Sequence, residues 1–158
     1  MADPCIVPFT PQRAGDFARL NQAWIEQFFR MEESDYTMLR NPQAYILDGG
    51  GQIFFAIDGD EAIGTVAAAR VSDTTFELAK MAVSPSHQGR GLGRLLGEAA
   101  IAYARSQGAT TMFLDTSSKL PTAIALYERL GFRHTTPPEP SRYARSDVYM
   151  ELALGAPE

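Results

Sequence analysis

Residues 76–93 read Phe76-Glu77-Leu78-Ala79-Lys80-Met81-Ala82-Val83 and then Ser84-Pro85-Ser86-His87-Gln88-Gly89-Arg90-Gly91-Leu92-Gly93. The first half predicts a strand over 76–83, and the second half a turn that opens a helix over 91–106. In that helix Leu92, Leu95, Leu96, Ala99 and Tyr103 share one face, and Gly108 sits where a C-terminal cap belongs. Glycines at the alternate positions Gly89, Gly91 and Gly93 carry no side chain, so successive amide N–H groups can close on a ligand. A helix N-terminus directs about half a positive charge at the same point. Arg90 and Arg94 add cations beside it. The ligand that such a turn suits is a phosphate.

The rest of the chain reads as support for this turn. Its 158 residues are enough for one domain with its own core, spanning 1–158. With 45% hydrophobic and 21% charged residues, the composition is that of an ordinary globular protein. A net charge of -5, from 14 Lys plus Arg against 19 Asp plus Glu, gives no basic field for a nucleic-acid backbone. Cys5 is the sole cysteine, which excludes an intrachain disulfide, and it has no neighbours suited to zinc. It is expected to pack in the first strand. No metal is implied. No apolar run reaches the ~18 residues of a membrane span and no leader pattern opens the chain, so the expected address is the cytoplasm, with no membrane partner.

Residues 5–9 predict a short strand, after which Thr10 and Pro11 offer an N-cap and a first-turn proline. Phe17, Leu20, Trp24 and Phe28 then recur at helical spacing and are expected on the core. A second helix is expected from Asp35, ended by Asn41-Pro42. Strands at 52–57, 61–70 and 76–83 form an antiparallel meander with a hairpin at Asp58-Gly59. A strand at 110–115 follows the long helix, so it should lie parallel to the strand before that helix. Pro121 starts a last helix with Ala123, Leu126, Tyr127 and Leu130 facing inward and Gly131 as its stop. Phe132 begins a further strand, and alternation of Val148, Met150, Leu152 and Leu154 predicts the final one. Those last strands offer an edge through which two copies could pair as a homodimer.

Two common phosphate loops do not fit. Counting from Gly91, the dinucleotide fingerprint needs a glycine at Leu96. A Walker loop needs Gly-Lys-Ser/Thr, and the only lysines are Lys80 and Lys119. Gln88-Gly-Arg-Gly-Leu-Gly93 instead resembles the Gln/Arg-x-x-Gly-x-Gly/Ala pyrophosphate motif of the GNAT N-acetyltransferase superfamily. The segment 80–85 resembles that family's bulged strand, and Ala123-Ile-Ala-Leu-Tyr-Glu-Arg-Leu-Gly-Phe132 its second signature. Together these resemblances cover most of residues 52–154. They imply an α/β fold with a mixed, splayed sheet of six to seven strands flanked by about four helices.

The resemblance further implies acetyl-coenzyme A as cosubstrate. Its pyrophosphate would lie on the backbone of Gln88, Gly89, Arg90, Gly91, Leu92, Gly93 and Arg94. Its pantetheine arm would run beside Met81, Ala82 and Val83, where a bulge frees amides that can also face the thioester oxygen. Transfer to an amine requires loss of a proton from the ammonium, and Glu77 stands where some members carry a general base. In an unbulged strand it would share a face with Ala79, Met81 and Val83. Read without the resemblance, Glu77 is equally a salt-bridged strand carboxylate. Glu33 and Asp35 are weaker candidates, being explained by a polar loop. Tyr127 fits the family's general acid for the leaving thiolate, and periodicity alone would make it a core tyrosine. Where many members carry a pantetheine-contacting asparagine this chain has Leu120, with Thr116, Ser117 and Ser118 as nearby substitutes. His87 reads as a loop residue and His134 has no evident partner.

The chain therefore reads as an N-acetyltransferase that passes acetyl from acetyl-coenzyme A to a primary amine of a small molecule or peptide in a ternary complex. The alternative is a non-catalytic coenzyme A binding or sensing module. Trp24, Phe28, Phe29, Tyr36, Arg142 and Tyr143 are candidates for the acceptor pocket, and Arg142 and Arg145 leave open an acceptor bearing a carboxylate.

Overall fold

The computed structural model describes residues 4–155. The elements are β1 (Cys5–Pro8), α1 (Ala14–Phe28), α2 (Glu33–Arg40), β2 (Gln52–Asp58), β3 (Glu61–Arg70), β4 (Thr75–Val83), α3 (Leu92–Ser106), β5 (Thr111–Thr116), α4 (Pro121–Arg129), β6 (Arg133–His134) and β7 (Val148–Ala153). One seven-stranded sheet has the order β1-β2-β3-β4-β5-β7-β6. Every neighbouring pair is antiparallel except β4 with β5, which α3 connects as a parallel crossover.

Helices cover the sheet on both faces, so each face has its own core. On one, Phe17 and Leu20 of α1 and Leu39 of α2 meet Ile53, Phe55 and Ala67. On the other, Leu92, Leu96 and Ala100 of α3 and Tyr127 of α4 meet Val66, Phe76, Leu78, Met112 and Leu114. Burying each large side chain of this kind is worth about 1.5–3 kcal/mol, which holds both helical layers to the sheet.

Several sequence expectations shift on inspection. Leu95 is 43% exposed and Ala99 half-buried, because the buried face of α3 is centred on Leu92, Leu96, Gly97, Ala100 and Ala104. Phe28 is 45% exposed where α1 runs past the end of the sheet. Thr10 makes no capping hydrogen bond through its side chain; a 3-10 turn at Pro11–Arg13 leads into α1 instead. Cys5 lies in β1 but is exposed. The strand after Gly131 is only two residues long and begins at Arg133, leaving Phe132 buried as the close of the helical turn. Asp35 is not in a loop. It sits in the first turn of α2, fully buried, and accepts from the Glu32 N–H in a reciprocal cap.

Gly93 also has a different purpose from its neighbours. It lies inside α3, where a Cβ would stand 2.9 Å from Leu126, and at Gly97 one turn on it would stand 2.6 Å from Leu130. These two glycines bring α3 and α4 close together, and Gly93 also borders the cleft beside β4.

Candidate active site

The site follows from two irregularities in β4. In its pairing with β3, Thr65 stands opposite Ala82 and Ala67 opposite Ala79, so Lys80 and Met81 together oppose Val66. This is a β-bulge, and Lys80 takes the left-handed conformation at φ 54° to make it. The bulge reverses the facing of the strand, sending Met81 and Val83 toward the α3 core and Ala82 toward the α1 core. The shared face expected for Glu77, Met81 and Val83 is thereby broken. On its other edge, β4 pairs with β5 only at Thr75, Phe76 and Glu77. Beyond Glu77 the two strands diverge, and residues 78–83 have no β5 partner.

The divergence opens a cleft of about 420 Å³ bounded by Met81, Ala82 and Val83, by the glycine turn, and by Pro121, Ala123 and Leu126 of α4. At the turn, Gly89 and Gly91 have φ 82° and 79°, which only glycine takes without strain, and open space lies where a Cβ would point. The N–H groups of residues 88–91 donate to no backbone carbonyl among the described residues. The first N–H groups of α3, which Gly91 caps, have no intrahelical acceptor either. Gln88 Nε2 donates to the Val83 carbonyl at 3.1 Å, tying the turn to the strand. Exposed Arg94 pairs with Glu98 at 2.8 Å. An open array of amides at a helix N-terminus is the chemistry a pyrophosphate needs, so these residues fit the phosphate end of acetyl-coenzyme A. Gly91→Ala should raise the dissociation constant for acetyl-coenzyme A by about tenfold and destabilise the fold by roughly 1–2 kcal/mol through left-handed strain. Calorimetry and urea unfolding would check the two effects.

Where the strands first part, the cleft adjoins a smaller cavity of about 80 Å³. Glu77, Lys80, Asp115, Tyr127, Tyr143 and Arg145 contribute to its wall, with Trp24 and Phe29 from the α1 side. Tyr127 borders both spaces. Its ring packs edge-on against Phe132, and its hydroxyl makes no hydrogen bond among the described residues. Burial pushes its pKa up to about 12, so it stays protonated at neutral pH. Glu77, 5% exposed, is also pushed up by burial, against the pull of the Arg142 guanidinium 3.1 Å away.

The segment 135–147 closes this cavity from above. Arg142 reaches Glu77, the Ala144 N–H donates to Glu32 at 3.0 Å, and Arg145 donates to Asp35 at 2.7 Å and to Glu32 at 3.2 Å. Ser118 donates to Asp147 at 2.6 Å and anchors the segment's far end. The Tyr143 ring lies among the cations Lys80, Arg145 and Arg142 at 4.5, 4.4 and 5.1 Å.

Glu77 and Tyr127 thus meet at one cavity, and Met81, Ala82, Val83, Gln88, Gly89, Gly91, Leu92, Gly93 and Arg94 line the adjoining cleft, whereas Arg90 does not. Of the acceptor-pocket candidates, Trp24, Phe29 and Tyr143 line this cavity and Arg142 does not, while Tyr36 lies exposed under Arg40 and Phe28 borders the outer cleft. Leu120 borders both spaces and presents no polar group. Thr116 and Ser117 face the cavity, while Ser118 is committed to Asp147. His134 does have a partner, Glu128 at 3.4 Å. Sequence reasoning missed Asp115 and Lys80 as residues lining this cavity, and Asp35 acts behind it as the partner of Lys80 and Arg145. Asp115 lies two residues beyond Phe113, the last β5 residue paired with β4, a position that leaves no mark in the sequence.

Residues 17–132 match the family model described as the acetyltransferase (GNAT) family. The human N-acetyltransferase 8B is 30% identical over 117 residues, 71% of this chain and 49% of that protein. The chain spans about half the length of the curated relatives it matches. Among solved structures, a GNAT-family acetyltransferase from Staphylococcus aureus superposes with a TM-score of 0.87 at 19% identity, covering 96% of this chain and 99% of that one. A GNAT-superfamily phosphinothricin acetyltransferase from Sinorhizobium meliloti, solved with acetyl-coenzyme A, gives 0.78 at 18% identity over 98% and 90%. The fold, the phosphate turn and the family match agree, and the chain belongs to the GNAT family of acetyltransferases.

Proposed function

We propose that this protein is an acetyl-coenzyme A-dependent N-acetyltransferase, acting as a single cytoplasmic domain on a primary amine of a small molecule or peptide. The observation that carries this reading is the junction at Tyr127. A groove with an anion-binding turn at one end and a closed, partly acidic cavity at the other meet beside an unpaired strand edge and a free phenol. The amine lone pair attacks the thioester carbonyl, N–H groups on the free edge of β4 stabilise the oxyanion, and the C–S bond breaks as the intermediate collapses. Glu77, or a water it orders, takes the proton lost by the ammonium, because burial has raised its basicity. Tyr127 gives a proton to the departing sulfur.

The test is thiol release from acetyl-coenzyme A across a panel of amines, amino-acid derivatives and peptides. Release that requires both substrates supports transfer by direct attack. Tight coenzyme A binding with no release on any amine would replace this reading with a sensing module.

A further inference from the structure

The two ends of the groove have opposite charge balance. Lys119 and Arg129 border the outer cleft, and neither forms an ion pair among the described residues. At the closed end all three cations are matched. Lys80 is 2.6 Å from Asp35, Arg145 lies within 3.2 Å of both Asp35 and Glu32, and Arg142 is 3.1 Å from Glu77. Asp115 is the carboxylate left over. It faces the same cavity and makes no hydrogen bond or ion pair among the described residues. Among the described residues four carboxylates, Glu32, Asp35, Glu77 and Asp115, face three cations here, so a second anion placed in the cavity would add to an excess of negative charge.

A second observation points to a ligand independently. The Tyr143 hydroxyl is buried and makes no hydrogen bond within 3.5 Å among the described residues, though the Arg142 guanidinium lies near enough to interact with it, on a residue 7% exposed that lines this cavity. Buried hydroxyls in native structures are nearly always satisfied. Its ring is fixed between Lys80 and Arg145, so the hydroxyl cannot swing out to solvent without breaking both contacts. A neutral oxygen on a bound molecule would accept its proton.

Resting on the acetyl-transfer reading, we infer that the acceptor is a cationic primary amine with a neutral carbonyl beside it, an amino-acid amide or peptide N-terminus, and not a free amino acid. Its ammonium docks on Asp115 and its carbonyl oxygen accepts the Tyr143 O–H. Trp24 and Phe29 supply apolar wall for the adjoining side chain. The cavity is narrow at about 80 Å³, which suits one terminal residue and leaves the remainder of a peptide to exit along the cleft.

The experiment compares alaninamide, leucinamide and phenylalaninamide with the matching free amino acids. Calorimetry on the protein saturated with coenzyme A reads binding, and thiol release reads turnover. Amides should bind at least roughly 30-fold more tightly than the acids, from charge repulsion in a poorly solvated cavity. Asp115→Asn should weaken amide binding by about tenfold, shrink the gap to the acids, and leave acetyl-coenzyme A affinity unchanged. Asp115→Ser repeats the measurement if the first variant does not fold. Tyr143→Phe should weaken the amides by about fivefold while sparing simple alkylamines, which lack the carbonyl. Acids that bind as well as amides, or a failure of every amide to bind, overturns the inference. Selective, Asp115-dependent amide binding without acetyl transfer upholds the recognition and removes the transfer reading, so the two fail separately.

Discussion

Tyr127→Phe lowers kcat for acetyl transfer by about 10²-fold or more, the usual worth of a positioned general acid, while acetyl-coenzyme A binding and fold stability stay nearly unchanged. The stability half of this result follows from the hydroxyl having no protein partner. Removing it strands no buried group, and the ring keeps its contact with Phe132. The rate half follows from where the phenol stands. It borders both the cleft and the cavity, the only titratable side chain among the described residues to do so. A pKa near 12 makes the free phenol a reluctant donor to an ordinary thiolate. The same burial, however, raises the thiolate's basicity as charge develops on sulfur, which restores the driving force. Stopped-flow measurement of the first turnover separates this step from product release. A change of less than about threefold in that rate would remove Tyr127 from the proton path and leave it a core tyrosine.

How much of this was readable beforehand depends on how local each constraint is. Gly89 and Gly91 could be read because a left-handed backbone at a helix N-terminus demands glycine within a few residues. The parallel placement of β5 could be read because a helix-length connection allows little else. Gly93 could be read only in part, since the turn and the α3–α4 contact both ask for glycine there and the position of Leu126 is not visible in the chain. The acceptor end was almost illegible. Arg142 reaches Glu77 across 65 residues and Arg145 reaches Asp35 across 110, and charges paired at such separation leave no pattern in the chain. Without those pairs the arginines looked available for a substrate carboxylate. With them, Asp115 is the one carboxylate lining the cavity without a pair among the described residues, and on the proposed reading a carboxylate on the acceptor is disfavoured.

Asp35→Ala should destabilise the protein by about 3–5 kcal/mol, a large share of the ~5–15 kcal/mol that holds a domain together. Asp35 is 0% exposed and is shared by Lys80, whose side chain is 5% exposed, and Arg145. Its removal leaves Lys80 buried with no counterion, whereas Arg145 keeps Glu32. The same pairing sets an acid limb of stability. Burial raises the Asp35 pKa, but hydrogen bonds from Arg145 and Lys80 outweigh it and hold the carboxyl down at about 2. Because this lies below the unfolded value, the stabilisation is complete above about pH 5 and is lost as pH falls toward 2, amounting to about 2 kcal/mol. Urea unfolding of wild type and Asp35→Ala between pH 2 and 7 should therefore show the gap between them narrow by about 2 kcal/mol toward the acid end. Curves that stay parallel would mean that some other carboxylate sets the limb. The double change Asp35→Leu with Lys80→Met removes the stranded charge and should recover much of the stability, as apolar replacements of buried pairs do. It should not recover activity. Lys80 sits at the left-handed bulge of β4 and is tied to Asp35 of α2, so with that tie gone the strand edge proposed to face the thioester is expected to lose its fixed position.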